Sequence, residues 1–513
     1  MNGQSFLKGA IIISVGGIIA KLLGAFYRIP LTNLLGGEGI GVYQMVYPLY
    51  CLLLTVSATG IPSGLAREIS SARATGNLLR ERGVFLRSIT LFSFIGLFGV
   101  VLMFIIAPII SRVQGETMAI TPYRALAPSV FFVSVISCFR GYFQGQSNFT
   151  PTALSEIIEQ AVKVGFGLFF AYRFQGDAVK GVTYALFAVT LSEIFALGFM
   201  FFYYLFNKKE FRKPLYKSVA LPIKSLSVLK ITVPVTLISA ILPLSNILDS
   251  IIIVNSLSRY TDNSTALYGL FSGGVNTIIN LPTSICYGLA AAIIPVIATS
   301  YALKNYSQAE TKVAFALKCT MYIAVPAAAF LFVFATPTIN LIFKSLSPFE
   351  KSVSANLLKI CAFSAFLFPC VQTLSACLTG RSKPLISALF LAVSVIVKLI
   401  LEIILLKFEK ISIAGAAISQ VACYFVAFAL DLLYIIKDAK NFLKILSSFI
   451  RMTITAIISV FVAFPFIKYG AILPFFICVV VYIALSLLLG VFTKEELKFF
   501  KRRKHDKHSR ARG

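Results

Sequence analysis

The sequence predicts an all-α polytopic membrane protein of fourteen transmembrane helices, built as two pseudo-symmetric six-helix lobes with two C-terminal helices appended. Three observations carry this expectation. The chain of 513 residues is 58% hydrophobic and only 13% charged, whereas an ordinary soluble domain carries about 25% charged residues, and its mean hydropathy is +0.87. Apolar runs of about 20 residues, the length that crosses a hydrocarbon core of about 30 Å, recur from end to end. Cationic residues are alternately dense and sparse in successive connecting segments, as a regular series of crossings requires.

Span 1 is placed at 6–27. Its apolar run from Gly9 to Ala20 continues into Lys21 and Gly24 with no small-residue cleavage site, so it reads as a retained helix and not a signal peptide. Span 2, 40–66, contains Tyr43 and a Gly60-Ile61-Pro62 bend. Spans 3 and 4, 84–110 and 122–143, are apolar runs with a short polar connection. Span 5, 151–173, opens at Pro151 after a polar turn, and span 6 covers 181–206. A cationic stretch from Lys208 to Lys230 leads to span 7, 228–256, which carries Pro234 and Pro243. Span 8, 266–300, holds Gly273, Gly274 and Pro282 and is expected to bend. Spans 9 to 12 fall at 312–335, 354–379, 384–406 and 412–436, and the last two at 446–468 and 471–492. The expected divisions are an N-lobe at 1–225, a C-lobe at 226–440, the final helix pair at 441–492 and a basic tail at 493–513.

With both termini in the cytoplasm of a bacterial cell, Lys and Arg in the inside segments outnumber those outside by more than two to one. An odd number of spans would scramble that bias. The net charge of +27 therefore reports topology, and no nucleic-acid partner is expected. The tail KRRKHDKHSRARG is expected near anionic lipid headgroups. All nine cysteines lie in apolar segments without a Cys-x-x-Cys pair, which predicts small buried hydrophobes and neither disulfides nor a metal site. The histidines, His505 and His508, are confined to the tail. No Walker-type loop and no Gly-x-Ser-x-Gly motif occurs, so the chain reads as a secondary transporter, not an enzyme, with no cofactor.

A weak internal repeat is present. YFQGQSNFTPTALS and ACLTGRSKPLISAL each place Gly (Gly145, Gly380) at a turn, Pro (Pro151, Pro384) at the next helix start, and Lys (Lys163, Lys398) 18 residues after the Gly. Span 2 ending near Asn77 corresponds to span 8 ending near Asn305. The repeat distance covers six spans, an even number, so the copies are parallel, one of the architectures of transporters.

Ionisable residues inside spans are costly and face water or each other. On span 5, Glu156, Glu159, Gln160 and Lys163 fall within an arc of about 100°, and Glu159 and Lys163 are spaced to pair with each other or to face a cavity. On span 11, Lys398 and Glu402 repeat that spacing. On span 1, Gly17, Lys21, Gly24 and Arg28 share a face within about 60°; the two cations require an anion or a wet route, and Arg28 also lies near enough to the end to snorkel. Span 7 carries Asn246 and Asp249 on one face, where the aspartate is a candidate for a coupling ion, sodium or a proton, or a partner for Lys21. Span 8 carries Asn276 and Asn280 on one face, as a polar substrate path requires. Arg140 and Arg381, beside Gly at cytoplasmic turns, read as topology determinants.

The segments GGEGIGVYQMVYPLY, TGIPSGLAREIS, RGYFQGQSNFTPTALSEIIEQ and the Leu248-Asp249-Ser250 neighbourhood resemble the polysaccharide-exporter branch of the MOP superfamily, and within it the group of stage V sporulation protein B and MurJ-type lipid II flippases. The resemblance spans the whole chain; where the family has Gln after the Ser of its Pro-Thr-Ala-x-Ser stretch, this chain has Glu156. It implies fourteen spans and alternating access that moves an undecaprenyl-pyrophosphate-linked oligosaccharide, a cell-wall precursor, from the inner to the outer leaflet. It further implies span-1 cations on the cavity wall, matched by Lys21 and Arg28, and a groove for the lipid tail made by spans 13 and 14. The expected partners are that lipid and the surrounding membrane, with the protein a monomer. The alternative is a multidrug/cation antiporter of the same superfamily, which would expose acidic groups in the cavity.

Overall fold

The computed structural model describes residues 3–55, 60–206, 226–436 and 439–492; in α1 side chains are described from residue 16, except 18, 21, 22 and 25, in α7 from 239 and in α15 from 443. The expectations placed on the Lys21 side chain, Pro234, the cationic stretch from Lys208 to Lys230 and the tail lie outside the described residues. All described elements are helical. The first is α1 (Gly3–Leu54), followed by α2 (Ile61–Ala74), α3 (Leu78–Val113), α4 (Ile120–Gly145), α5 (Thr150–Arg173) and α6 (Ala178–Phe206). The second half comprises α7 (Leu226–Leu257), α8 (Ser264–Gly269), α9 (Asn276–Ala302), α10 (Tyr306–Val333), α11 (Ala335–Ile342), α12 (Pro348–Gly380), α13 (Pro384–Leu405) and α14 (Ala414–Ile435). Helices α15 (Ala439–Ala463) and α16 (Ile472–Leu488) complete the fold. Among the described residues, ten helices are long and apolar enough to cross a membrane by length and composition.

The first predicted span and the start of the second meet directly: α1 is two helices joined at a kink at Gly36, whose backbone is non-helical and whose φ of 68° lies in the region that favours glycine. The bend predicted at Gly60-Ile61-Pro62 separates α1 from α2, and Pro62 sits in the first turn of α2. The predicted bend in span 8 lies at least about two turns before Pro282, in a π-helical turn at Leu270–Val275 that contains both Gly273 and Gly274.

The sequence repeat has a local structural counterpart. Ser147 and Ser382, in the two Gly-containing turns, adopt φ of 60° and 59°. Asn77 and Asn305 cap α3 and α10 in the same way, each accepting from the backbone N–H three residues on. Pro151 and Pro384 both lie in the first turn of the helix they open.

Each half has its own apolar core. Tyr27, Leu31, Tyr123 and Val182 belong to the first, Phe271, Ile278, Phe334 and Cys361 to the second. α13 shows why the spans read as amphipathic. Leu385, Leu389, Ile396 and Ile400 are exposed on one side, while Ser394, Lys398 and Glu402 are buried on the other.

The halves are joined near the Gly36 turn by close backbone crossing and hydrogen bonds. A Cβ at Gly41 would run into the Thr265 backbone, and one at Gly269 into Gly37 and Gly41, so only glycine permits this approach. Gly37 N–H donates to Glu350 Oε1 (3.2 Å), and Glu350 also completes a capping box with Ser347 at the start of α12. Asn33 donates to Ile342 O (2.8 Å) and accepts from Ser345 N–H (3.1 Å). Gln114 donates to Ser250 Oγ (2.8 Å), Thr265 donates to Glu116 (2.8 Å), and Asn255 donates to Val113 O (2.7 Å). Together these contacts close one end of the bundle.

Candidate functional site

Below that closed end lies a cavity of about 730 Å³ between the halves. α1 supplies Tyr27, Arg28, Tyr43 and Tyr47; α4 supplies Arg140 and Gln144; α6 supplies Glu193; α9 supplies Asn280, Ser284 and Tyr287. α5 presents Glu156, Glu159, Gln160 and Lys163 together on this wall. The face read from the sequence is thus the face turned to the cavity.

The pairing on that face differs from expectation. Glu159 does not pair with Lys163; it binds Arg140, whose Nη2 lies 3.0 Å from Glu159 Oε2 and whose Nε donates to Ser155 Oγ at 3.0 Å. The short turn between α4 and α5 lays Arg140 alongside α5. A planar guanidinium can then serve two acceptors four residues apart at once, which an ammonium point charge cannot. Arg140, read as a topology determinant, is therefore part of the cavity wall. Lys163 is buried, and among the described residues no carboxylate lies within 4 Å of its ammonium.

Glu193 was not singled out from the sequence. It is buried on α6, and its Oε1 accepts from Tyr50 O–H at 3.2 Å. The available signal was its position as a lone carboxylate in the middle of an apolar span, which is a candidate site by default.

Arg28 lines both this cavity and a second, smaller one of about 250 Å³. Its guanidinium lies 6.0 Å from the Tyr47 ring centroid, and among the described residues it forms no ion pair. Asn280 also borders both cavities. Asn246, Asp249, Asn276, Lys398 and Gln420 face the smaller one. There the Lys398 ammonium contacts Asp249 Oδ2 and lies 3.9 Å from Glu402 Oε1. The expected pair within α13 exists but is secondary to the contact of Lys398 with Asp249 of α7. Asn276 and Gln420 exchange reciprocal amide hydrogen bonds of 3.1 and 2.7 Å. Asn276 is thereby committed to α14, a partner the sequence did not indicate.

A third feature is an apolar groove of about 800 Å³ between α10, α12, α14 and α15, lined by Phe363, Phe366, Phe425, Phe428 and Phe449 with Lys359 at its edge. α15, one of the last two helices, contributes Ile445, Leu446 and Phe449 to its wall. Among the described residues no cluster of metal-ligating side chains occurs.

The profile of the polysaccharide biosynthesis protein family matches residues 6–300, and the MatE profile matches residues 234–404. The chain is 26% identical over 436 residues to stage V sporulation protein B of Bacillus subtilis (strain 168), covering 82% of each. It is 23% identical over 465 residues to the lipid II flippase MurJ of the same organism, covering 86% of this chain and 85% of the relative. The fold resembles that of a lipid II flippase MurJ in an inward closed conformation, with a TM-score of 0.72 at 16% identity, across 94% of this chain and 99% of the other.

Proposed function

This chain belongs to the polysaccharide biosynthesis protein family of the MOP superfamily, whose members are transporters and not enzymes, and from that premise we propose that it flips an undecaprenyl-pyrophosphate-linked oligosaccharide across the bacterial cell membrane. The observation that carries this reading is which charges on the cavity wall are left over. Glu159 is engaged by the Arg140 guanidinium, whereas Glu193 accepts a hydrogen bond from the neutral Tyr50 phenol. Arg28 and Lys163 have no carboxylate within 4 Å among the described residues. Among the described residues Glu193 also stands outside any ion pair, and the two unpaired cations are what a diphosphate headgroup requires. A diphosphate and a hydrated sugar are costly to move through hydrocarbon unaided, and charge-assisted contacts to a cavity wall offset that cost.

We further propose fourteen crossings with both termini cytoplasmic, and two six-helix lobes that rock about the central cavity. The closed end at Gly36 is then the outer end, and the cavity is loaded from the cytoplasmic side near Gln144. The lipid tail stays in hydrocarbon, with the apolar groove as its berth. The relative named lipid II flippase supports a cell-wall precursor as the cargo.

A second reading is a cation/drug antiporter, favoured by the MatE match over the second half and by three carboxylates on the wall. One experiment separates the two. Protein is reconstituted in vesicles carrying a fluorescent lipid-linked diphosphate saccharide in the inner leaflet, and its appearance outside is followed. Flipping by the intact protein, reduced at least tenfold by Arg28→Ala, is the expected result. No flipping, together with efflux of a lipophilic cation that Arg28→Ala leaves intact, establishes the antiporter.

A further inference from the structure

The large cavity carries buried acceptors as well as cations. On its wall, Tyr27 Oη, Thr152 Oγ1, Gln160 Oε1 and Glu193 Oε2 are buried and have no hydrogen-bond partner among the described residues. The two hydroxyls can donate or accept, so they set no polarity. The other two atoms can only accept. Gln160 Nε2 donates to Glu159 Oε1 at 3.3 Å. A carboxylate takes hydrogen bonds and does not give them, so this contact fixes which way the amide is turned and leaves Oε1 as its free end. A Cβ built on Gly24 would stand 3.4 Å from that oxygen, which therefore points at the face of α1 that carries Arg28 one turn further on. Lys163 lies about one turn beyond Gln160 on α5. The free amide oxygen is thus set between the two unpaired cations. On α6, Glu193 is 2% exposed; its Oε1 takes the Tyr50 O–H and its Oε2 takes nothing. A buried acceptor left without a donor is destabilising, and a charged one more so.

We propose that Gln160 and Glu193 read hydrogen-bond donors on the head of the cargo, the O–H and amide N–H groups of a saccharide joined to the diphosphate, and so set the preference for a sugar-bearing lipid over a bare one. This deepens the flippase reading and rests on it. A bare diphosphate brings charged oxygens, which suit Arg28 and Lys163 but are repelled by two free acceptors on the same wall. A saccharide attached to it brings donors. Its hydroxyls give hydrogen bonds to Gln160 Oε1 and Glu193 Oε2, and those to the carboxylate are charge-assisted. A site built around the donors of its ligand rejects the analogue that lacks them, because its own buried groups are then left unpaired. Gln160→Leu removes both the acceptor and that penalty. Glu193→Gln keeps an oxygen for Tyr50 and turns an amide donor into the cavity, which meets the donors of the sugar unfavourably. Each change acts on the difference between the two lipids, whereas loss of Arg28 acts on the diphosphate that they share.

The test is equilibrium binding of two radiolabelled lipids to the full-length protein in detergent. Both carry the same polyprenyl chain; one ends in a diphosphate-linked N-acetylated sugar and the other in the bare diphosphate. The intact protein is expected to bind the sugar-bearing lipid about tenfold more tightly, or better. In Gln160→Leu and in Glu193→Gln, both close in volume to the native side chains, that ratio is expected to fall by about fivefold or more. Arg28→Ala is expected to weaken both lipids and to keep the ratio. Equal binding of the two lipids by the intact protein overturns the proposal. So does the same loss for both lipids in Gln160→Leu and Glu193→Gln, which assigns those residues to holding the wall together. Displacement of the sugar-bearing lipid by a lipophilic ammonium compound gives the acceptors to a cation and overturns it as well. Flipping in vesicles separates this proposal from the reading beneath it. The expected binding preference without flipping refutes the flippase reading and leaves the saccharide subsite standing, and flipping without a binding preference refutes the subsite alone.

Discussion

Arg140 and Glu159 provide the sharpest test of the cavity wall, because two arrangements of the same charges make opposite predictions. Their side chains are 15% and 19% exposed and their charged atoms are 3.0 Å apart. Removing one partner of a fully buried pair costs about 3–5 kcal/mol, because the other charge is left stranded, whereas exposed pairs contribute only about 0.2–1 kcal/mol. A pair on the wall of a wet cavity lies between these limits. Arg140→Ala is expected to lower stability by about 1–3 kcal/mol, with part of the loss coming from the Ser155 hydrogen bond. The assay is a double-mutant cycle on denaturant unfolding in detergent, using Arg140→Ala, Glu159→Ala and the double variant, with Lys163→Ala run in parallel. A coupling energy of about 1–2 kcal/mol is expected between Arg140 and Glu159, and no more than about 0.5 kcal/mol between Lys163 and Glu159. If Lys163 couples to Glu159 more strongly than Arg140 does, the pairing is the one suggested by helical spacing alone, and the account of the uncommitted cations fails with it.

Other predictions follow from the closed end, the groove and the amide pair. Gly41→Ala places a Cβ against the Thr265 backbone, and Glu350→Ala removes both the Gly37 contact and the α12 cap; each is expected to speed hydrogen exchange around Gly37 and Thr265 and to slow flipping. Unchanged exchange in both variants refutes the assignment of that end as the seal. Phe425→Gln is expected to weaken transport of a long-chain lipid-linked saccharide while sparing a short-chain analogue; equal losses for both place the tail elsewhere. Asn276→Ala leaves one amide of the Asn276–Gln420 pair without its partner and is expected to destabilise by about 1–3 kcal/mol, read by unfolding, with the loss reversed in part by Gln420→Leu.

Much of this architecture was legible because helical periodicity is a local property. The face carrying Glu156, Glu159, Gln160 and Lys163 follows from 3.6-residue geometry, and so does the burial of Lys398 and Glu402 opposite the exposed Leu385 and Ile396. What escaped was the choice of partner. Helical spacing offers Glu159 and Glu402 each a Lys one turn away, but Glu159 is taken by Arg140 across a turn, and Lys398 contacts Asp249 from a position 149 residues distant. Such pairings depend on how helices pack, which a single helix does not encode. The abrupt junction between the first two spans escaped for the opposite reason. Gly36 turns the chain within one residue, so no polar loop marks the boundary.

Helices α12 and α14 lie between the small polar cavity and the apolar groove. α12 turns Phe368 toward the small cavity and Phe363 and Phe366 toward the groove. α14 turns Gln420 and Tyr424 one way and Val421, Phe425 and Phe428 the other. A substrate with a charged head and a long apolar tail needs both environments at once, and a small soluble cation needs only the first. The polar wall alone would fit either cargo class once its carboxylates are counted. An apolar groove of about 800 Å³ set behind a two-faced partition is superfluous to a cation carrier. It is required if the head crosses through the protein while the tail remains in a lipid-like medium. The partition therefore weighs toward an amphiphile, and the leftover positive charge of Arg28 and Lys163 toward an anionic head.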